Sequence, residues 1–258
     1  MSRLTDAFQN KKAYISFLTA GDPSLDKTIE FMIALQEAGT AVIEIGIPFS
    51  DPIAEGAKVQ DANVRALSAP GGCTTDMVCD MIVRAREHVH VPIVLLTYLN
   101  PVFKYGYDAF CKRCSEVGVD AIMIPDLPFV EKQELAPTAA NYGVDIISIV
   151  APTTKERLQA IAKEANGYLY VMASAIEAPA SNNEKISAIA DMIHCVREVS
   201  DIPVVASVSE SSAAQAADYA KIADGIVVDN AVVRIIEQFG IDAAAYINVY
   251  VKAMAKDI

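Results

Sequence analysis

Apolar residues fall in short continuous runs along this chain, each followed by a longer segment in which they recur every three or four positions. The runs predict strands at 14–19, 41–46, 93–98, 121–124, 145–150, 168–172, 203–206 and 225–228. Helical spacing marks 27–38, 107–116, 131–141, 155–165, 186–199, 212–219 and 231–238, with a further helix at 76–88 after a long second loop. Near-continuous apolar strands alternating with helices imply a parallel sheet covered by helices. A doubly wound sheet also holds such elements, but no Gly-x-Gly-x-x-Gly opens a helix after the first strand. Eight units at this length fit a closed α/β barrel, the (β/α)8 TIM barrel, with extra helices. No linker rich in Ser, Gly or Pro divides the pattern, so residues 1–258 read as a single domain.

Composition narrows the class. Hydrophobic residues make up 53% of the chain, ample for a full core. The net charge of −12 argues against nucleic acid and against anionic membrane surfaces as partners. Five cysteines without CxxC or Cys/His metal spacing predict free thiols in a reducing compartment and no metal site. The opening MSRLTDAFQNKK lacks the apolar run of a signal peptide, and no stretch approaches the ~18 apolar residues of a membrane span. The expectation is a cytoplasmic protein.

One residue breaks the apolar pattern. Glu44 sits inside the strand VIEIG, and a second acid, Glu55, follows in the loop IPFSDPIAEG. A lone carboxylate in an apolar strand costs several kcal/mol unless it is paired or protonated, and proteins keep such residues mostly where they do chemistry. If Ile43 and Ile45 face the helices, then Val42, Glu44 and Gly46 face the barrel interior. Glu44 then lies near the carboxyl end of its strand, the face on which such barrels carry active sites. A structural glutamate paired with a buried Lys or Arg is the competing reading.

Longer motifs bear on the choice. FLTAGDPS at 17–24, IEIGIPFSDPIAEG at 43–56, LLTYLNPVFKYGYDAF at 95–110, GVDAIMIPDLP at 118–128 and GYLYVMAS at 167–174 together resemble the tryptophan synthase alpha subunit family over almost the whole chain. The resemblance implies a lyase that cleaves indole-3-glycerol phosphate to indole and glyceraldehyde 3-phosphate by a retro-aldol step. It gives Glu44 the proton transfers at indole C3 and the glycerol hydroxyl. Glu55 stands where the family has Asp, in the role of stabilising the cationic ring nitrogen. Phe17 and Tyr170 match residues lining the indole pocket, and Asp22 and Tyr98 lie at matching strand ends, Tyr98 counted with the substrate contacts. Pro48, Asp51, Pro52, Asn100 and Asp126 match loops facing a beta subunit, which in this family carries the pyridoxal phosphate. The resemblance thus implies no cofactor in this chain and an αββα heterotetramer.

The chain departs from the family where the substrate phosphate should bind. For the family's S-R-S-G-V-T-G after strand six this sequence has ASAIEAP at 173–179, and Pro179 donates no N–H. For G-F-G-I after strand seven it has Ser207, Val208, Ser209 and Glu210, and for S-G-S-A after strand eight Val228, Asp229, Asn230 and Ala231. Two unit charges 4 Å apart at an effective dielectric near 20 repel by ~4 kcal/mol, and ~1.4 kcal/mol is already tenfold in affinity. Asp229 and Asn230 also read as N-caps that fill a former anion site from within. The expectation is lyase activity weak or lost, with binding and activation of the beta subunit retained. The alternative is a fully active lyase with a remodelled phosphate site.

Overall fold

A computed structural model describes residues 3–9, 12–172, 181–208, 213–256 and 258, and the side chains of all of these except Asn182, Ala213 and Asp229. The eight strands are β1 (Ala13–Thr19), β2 (Val42–Gly46), β3 (Ile93–Leu96), β4 (Ala121–Met123), β5 (Asp145–Val150), β6 (Leu169–Met172), β7 (Val204–Val208) and β8 (Gly225–Val228). They pair in sequence order, all parallel, and β8 returns to β1 to close the barrel. The helices are α1 (Arg3–Asp6), α2 (Leu25–Glu37), α3 (Ala57–Ser68), α4 (Thr75–Ala85), α5 (Leu99–Tyr105), α6 (Tyr107–Glu116), α7 (Ala136–Asn141), α8 (Lys155–Glu164), α9 (Asn182–Arg197), α10 (Ala213–Ala220), α11 (Asp229–Phe239) and α12 (Ala243–Ala255). The TIM barrel with extra helices read from the sequence is the observed fold.

Strand alternation builds two apolar layers. Ile15, Phe17, Val42, Val94, Tyr168 and Tyr170 fill the interior, whereas Tyr14, Leu18, Ile43, Ile45 and Leu95 pack outward under the helices. Ile43 and Ile45 therefore face out, and Glu44 shares the interior with Val42. The amino-terminal end of the barrel is plugged by α1: Leu4 is fully buried in the interior cluster, and Phe8 packs on Tyr168 with ring centroids 5.7 Å apart. Gly167 makes room for this plug, since a Cβ there would stand 2.8 Å from Leu4 Cδ2. Arg3 anchors it through Asp120 at 2.8 Å, a carboxylate that Arg86 also holds at 2.9 Å.

Several segments differ from the sequence expectation. Residues 57–68 form helix α3 rather than loop; its buried face is Val59, Ala62, Asn63 and Ala66, small or polar residues that mute the helical signal. Residues 99–105 form α5 despite Pro101, which lies in the first turn, where a missing N–H costs nothing. The segment 131–141 is divided into a 3-10 helix, Phe129–Glu134, and α7, whose start carries Pro137. Helix α12 lies outside the strand–helix alternation and packs on α2, Asn248 Nδ2 donating to the Ala34 carbonyl at 3.1 Å. Asp229 and Asn230 are not N-caps. Val228 takes that position because α11 begins directly at the end of β8, leaving the two polar residues as the first two of the helix.

Among the described residues no helix is long and apolar enough to cross a membrane. All five cysteines are free, and four are buried.

Candidate active site

Strand β2 delivers Glu44 to the barrel interior at 1% exposure. Its neighbours in register are Phe17 on β1 and Val94 on β3. The carboxyl group accepts a hydrogen bond from Tyr168 Oη across the barrel at 2.5 Å, a short contact that orients the acid. A phenol is thus one partner of this buried acid. Above it β2 ends in Gly46, where a Cβ would stand 2.9 Å from Phe17 Cζ; the missing side chain lets the ring lie against the strand.

The loop after β2 turns back over the mouth and presents Glu55. Two side chains, Asn63 and Tyr98, hold it. Asn63 Nδ2, from α3, donates to Glu55 Oε2 at 2.9 Å and to the Val59 carbonyl at 2.8 Å, while Asn63 Oδ1 accepts the Phe49 N–H at 2.9 Å. The Tyr98 hydroxyl accepts the Ala54 N–H at 3.2 Å and also hydrogen-bonds the Glu55 carboxylate. Burial, and next the charge of Glu55, push the Tyr98 phenol above its usual range, so it stays protonated as a donor. Tyr98 is stacked on Phe49 at 5.1 Å and stands behind the loop.

Glu44 and Glu55 line one cavity of about 310 Å³ at the carboxyl ends of the strands, a size suited to a small aromatic substrate. Phe17, Leu96, Tyr170 and Met172 give it apolar walls. Ser207 on β7 and Asn230 on α11 line its remaining side, and Asn230 approaches the Glu55 loop, its amide 3.8 Å from where a Cβ on Gly56 would lie. Of the residues singled out in the sequence, Glu44, Glu55, Phe17, Tyr170, Ser207 and Asn230 therefore meet in one place. Tyr98 supports the loop rather than lining the cavity. Pro179 and Ser209 lie outside the described residues, as does the side chain of Asp229.

The presumed docking residues surround the mouth. Pro48 is buried beneath the β2 loop, and Asp51 is exposed and accepts from Ser50 Oγ at 2.6 Å. Pro52 is half-buried, its carbonyl accepting the Glu55 N–H at 3.2 Å. Asn100 is exposed in the first turn of α5, and Asp126 Oδ1 accepts the Leu99 N–H at 2.8 Å, joining the loops after β3 and β4. Beside them Ile53, Phe103 and Val130 are exposed at 78%, 69% and 74%. Three large apolar side chains, exposed on the segments that follow β2, β3 and β4, are the kind of surface a protein partner covers.

Tyr168 and Asn63 are the functional-site residues that the sequence reading missed. An interior tyrosine needs an acceptor and an interior glutamate needs a donor, so strand alternation alone offered a signal for Tyr168. Asn63 carried no such signal while its helix was read as loop.

A parallel (β/α)8 barrel with paired carboxylates in a pocket at the carboxyl ends of its strands belongs to the class of barrel enzymes. Comparison with known proteins narrows this. A profile of the tryptophan synthase alpha chain family matches residues 4–257. The chain is 38% identical over 252 residues to the tryptophan synthase alpha chain of Lacticaseibacillus casei, covering 98% of this chain and 94% of that one. It is 39% identical over 237 residues to that of Lactiplantibacillus plantarum, covering 92% and 89%. The crystal structure of the alpha chain from Legionella pneumophila superposes with a TM-score of 0.90 at 30% identity, covering 100% of this chain and 97% of the other. Tryptophan synthase from M. tuberculosis, in its aminoacrylate-bound form, gives 0.86 at 31% identity with full coverage of both chains. The chain belongs to the tryptophan synthase alpha chain family, lyases of tryptophan biosynthesis.

Proposed function

We propose that this chain retains the acid–base residues for cleaving indole-3-glycerol phosphate but grips the phosphate weakly, and acts chiefly by binding and activating a tryptophan synthase beta subunit. In the chemical step, protonation of indole C3 places positive charge on the ring nitrogen. Removal of the proton from the glycerol hydroxyl then breaks the C–C bond to the ring, releasing the aldehyde and restoring indole. Glu44 is the residue for both proton transfers, held by Tyr168, and Glu55 is the carboxylate for the cationic nitrogen. No cofactor in this chain enters the step; pyridoxal phosphate belongs to the beta subunit.

The observation that carries this reading is the shared cavity with its unequal ends. Two carboxylates are held in place on one side, and on the other Asn230 occupies the first turn of a helix that begins with Asp229. The sequence at this helix start carries an acid where the family has a small residue, which disfavours an incoming phosphate. The exposed trio Ile53, Phe103 and Val130 beside the β2 loop supports the partner. An αββα assembly in the cytoplasm completes the proposal.

A second reading, a fully active lyase, draws on the hydroxyl of Ser207 and the amide of Asn230, which give the same cavity donors for an anion. Steady-state kinetics of the chain with its beta subunit separate the two. Weak grip gives a KM for indole-3-glycerol phosphate raised at least ~10-fold over the Lacticaseibacillus casei relative, with beta activity still stimulated on adding the chain. Equal KM and kcat would establish the active lyase, and unchanged beta activity would remove the activator role.

A further inference from the structure

The layer between the barrel and its helices is apolar almost throughout, yet beside β5 it holds an ammonium group. Lys132, on the 3-10 helix after β4, is 5% exposed. Its Nζ donates to Ser148 Oγ at 3.0 Å and to the Glu164 carbonyl at 3.4 Å. An ammonium has three N–H donors, so one remains for a further acceptor. Lys132 lines a cavity of about 400 Å³, walled by Phe129, Ile161 and Met172 and bordered by Arg157 in the first turn of α8. Arg157 is exposed, and among the described residues it takes part in no ion pair. No Asp or Glu is among the described residues lining this space. It is distinct from the cavity of Glu44, with which it shares only Met172 as a wall.

Two cations border this cavity with no carboxylate among its described lining residues, although the charges of Glu164 and Asp145 also reach Lys132. A buried ammonium is costly unless paired, and a guanidinium at the rim presents a planar fork of donors suited to a carboxylate. Ser148 and Thr153 add hydroxyls to walls that are otherwise built from apolar side chains, and the volume is within the range of small-molecule sites. A phosphate would meet the cations but leave the apolar walls uncovered, whereas a carboxylate on an apolar body meets both together. We propose that this cavity binds a small organic monocarboxylate, its carboxylate between Lys132 and Arg157 and its apolar body against Phe129 and Ile161. The proposal is independent of the lyase and activator readings.

Calorimetric titration of the full chain with 3-phenylpropanoate, its neutral amide and inorganic phosphate tests it. The expected result is one saturable site for the carboxylate, with the amide and phosphate at least ~10-fold weaker. Arg157→Gln and Lys132→Met should each weaken the carboxylate by about tenfold or more, with Glu44→Gln binding it as the parent does. Absence of saturable binding, equal binding of the amide or of phosphate, or affinity unchanged by Arg157→Gln would overturn the proposal, as would affinity lost in Glu44→Gln. Arg157 is on the surface, so its variant tests the site independently of Lys132→Met.

Discussion

At the scale of single residues, the site depends on how a buried acid is accommodated. Glu44 sits at 1% exposure with the Tyr168 hydroxyl 2.5 Å away, and removing that donor changes the orientation of the carboxylate without altering the cavity wall. Tyr168→Phe is expected to lower kcat about tenfold with KM little changed, the mark of an interaction that orients a reacting group. Lys132 gives a pH prediction. Burial, its largest perturbation, lowers its pKa below the ordinary lysine value of 10.5. Between the lowered value and 10.5 the unfolded chain holds more protons, so this residue's contribution to stability rises with pH there and is a net cost below it. Lys132→Met should therefore raise the melting temperature at neutral pH and flatten its alkaline-side slope, as thermal melts across a pH series would show. The thiols behave alike for the same reason: burial pushes Cys73, Cys79 and Cys111 up to about 11 and raises Cys114 as well. Native thiol titration should find only Cys195 reacting quickly, the one cysteine that is not buried.

At the scale of elements, the loop after β2 and helix α3 act as a unit. Asn63 holds Glu55, Val59 and Phe49 at once, so Asn63→Ala leaves a backbone N–H and a carboxylate short of partners. A stability loss of ~1–3 kcal/mol is expected, with kcat/KM falling at least ~10-fold; a variant as stable and active as the parent would show that Glu55 is positioned by other means. The strands were legible in the sequence because burial on both faces makes each a continuous apolar run. Glu44 stood out because it interrupts one. Helix α3 was not legible, since its buried face is built from Ala, Val and Asn, and α5 was hidden by the turn signal of Asn100 and Pro101. The contact between Glu44 and Tyr168 spans 124 positions and depends on barrel closure, which no local pattern encodes. The N-cap reading of Asp229 and Asn230 failed because it presumed a linker that the direct passage from β8 into α11 does not have.

At the scale of the whole molecule, the two ends of the barrel have different work. The amino-terminal end is closed by Leu4 and Phe8 and serves stability, while the carboxyl end carries the cavity, the β2 loop and an apolar rim. The rim suits a protein partner: Val130→Asp, on an exposed side chain, should leave the melting temperature unchanged and reduce stimulation of the beta subunit. Family membership fixes the kind of enzyme, and Glu44 and Glu55, which line one cavity, are the residues on which the proposed chemistry rests. The most direct measurement is Glu44→Gln assayed in complex with the beta subunit, following indole-3-glycerol phosphate cleavage and beta activation on the same preparation. The expected outcome is that cleavage falls by roughly 10²–10⁴-fold while activation and thermal stability persist. Cleavage equal to that of the parent would contradict it, as would a joint loss of cleavage, activation and stability, which would make Glu44 a structural partner of Tyr168.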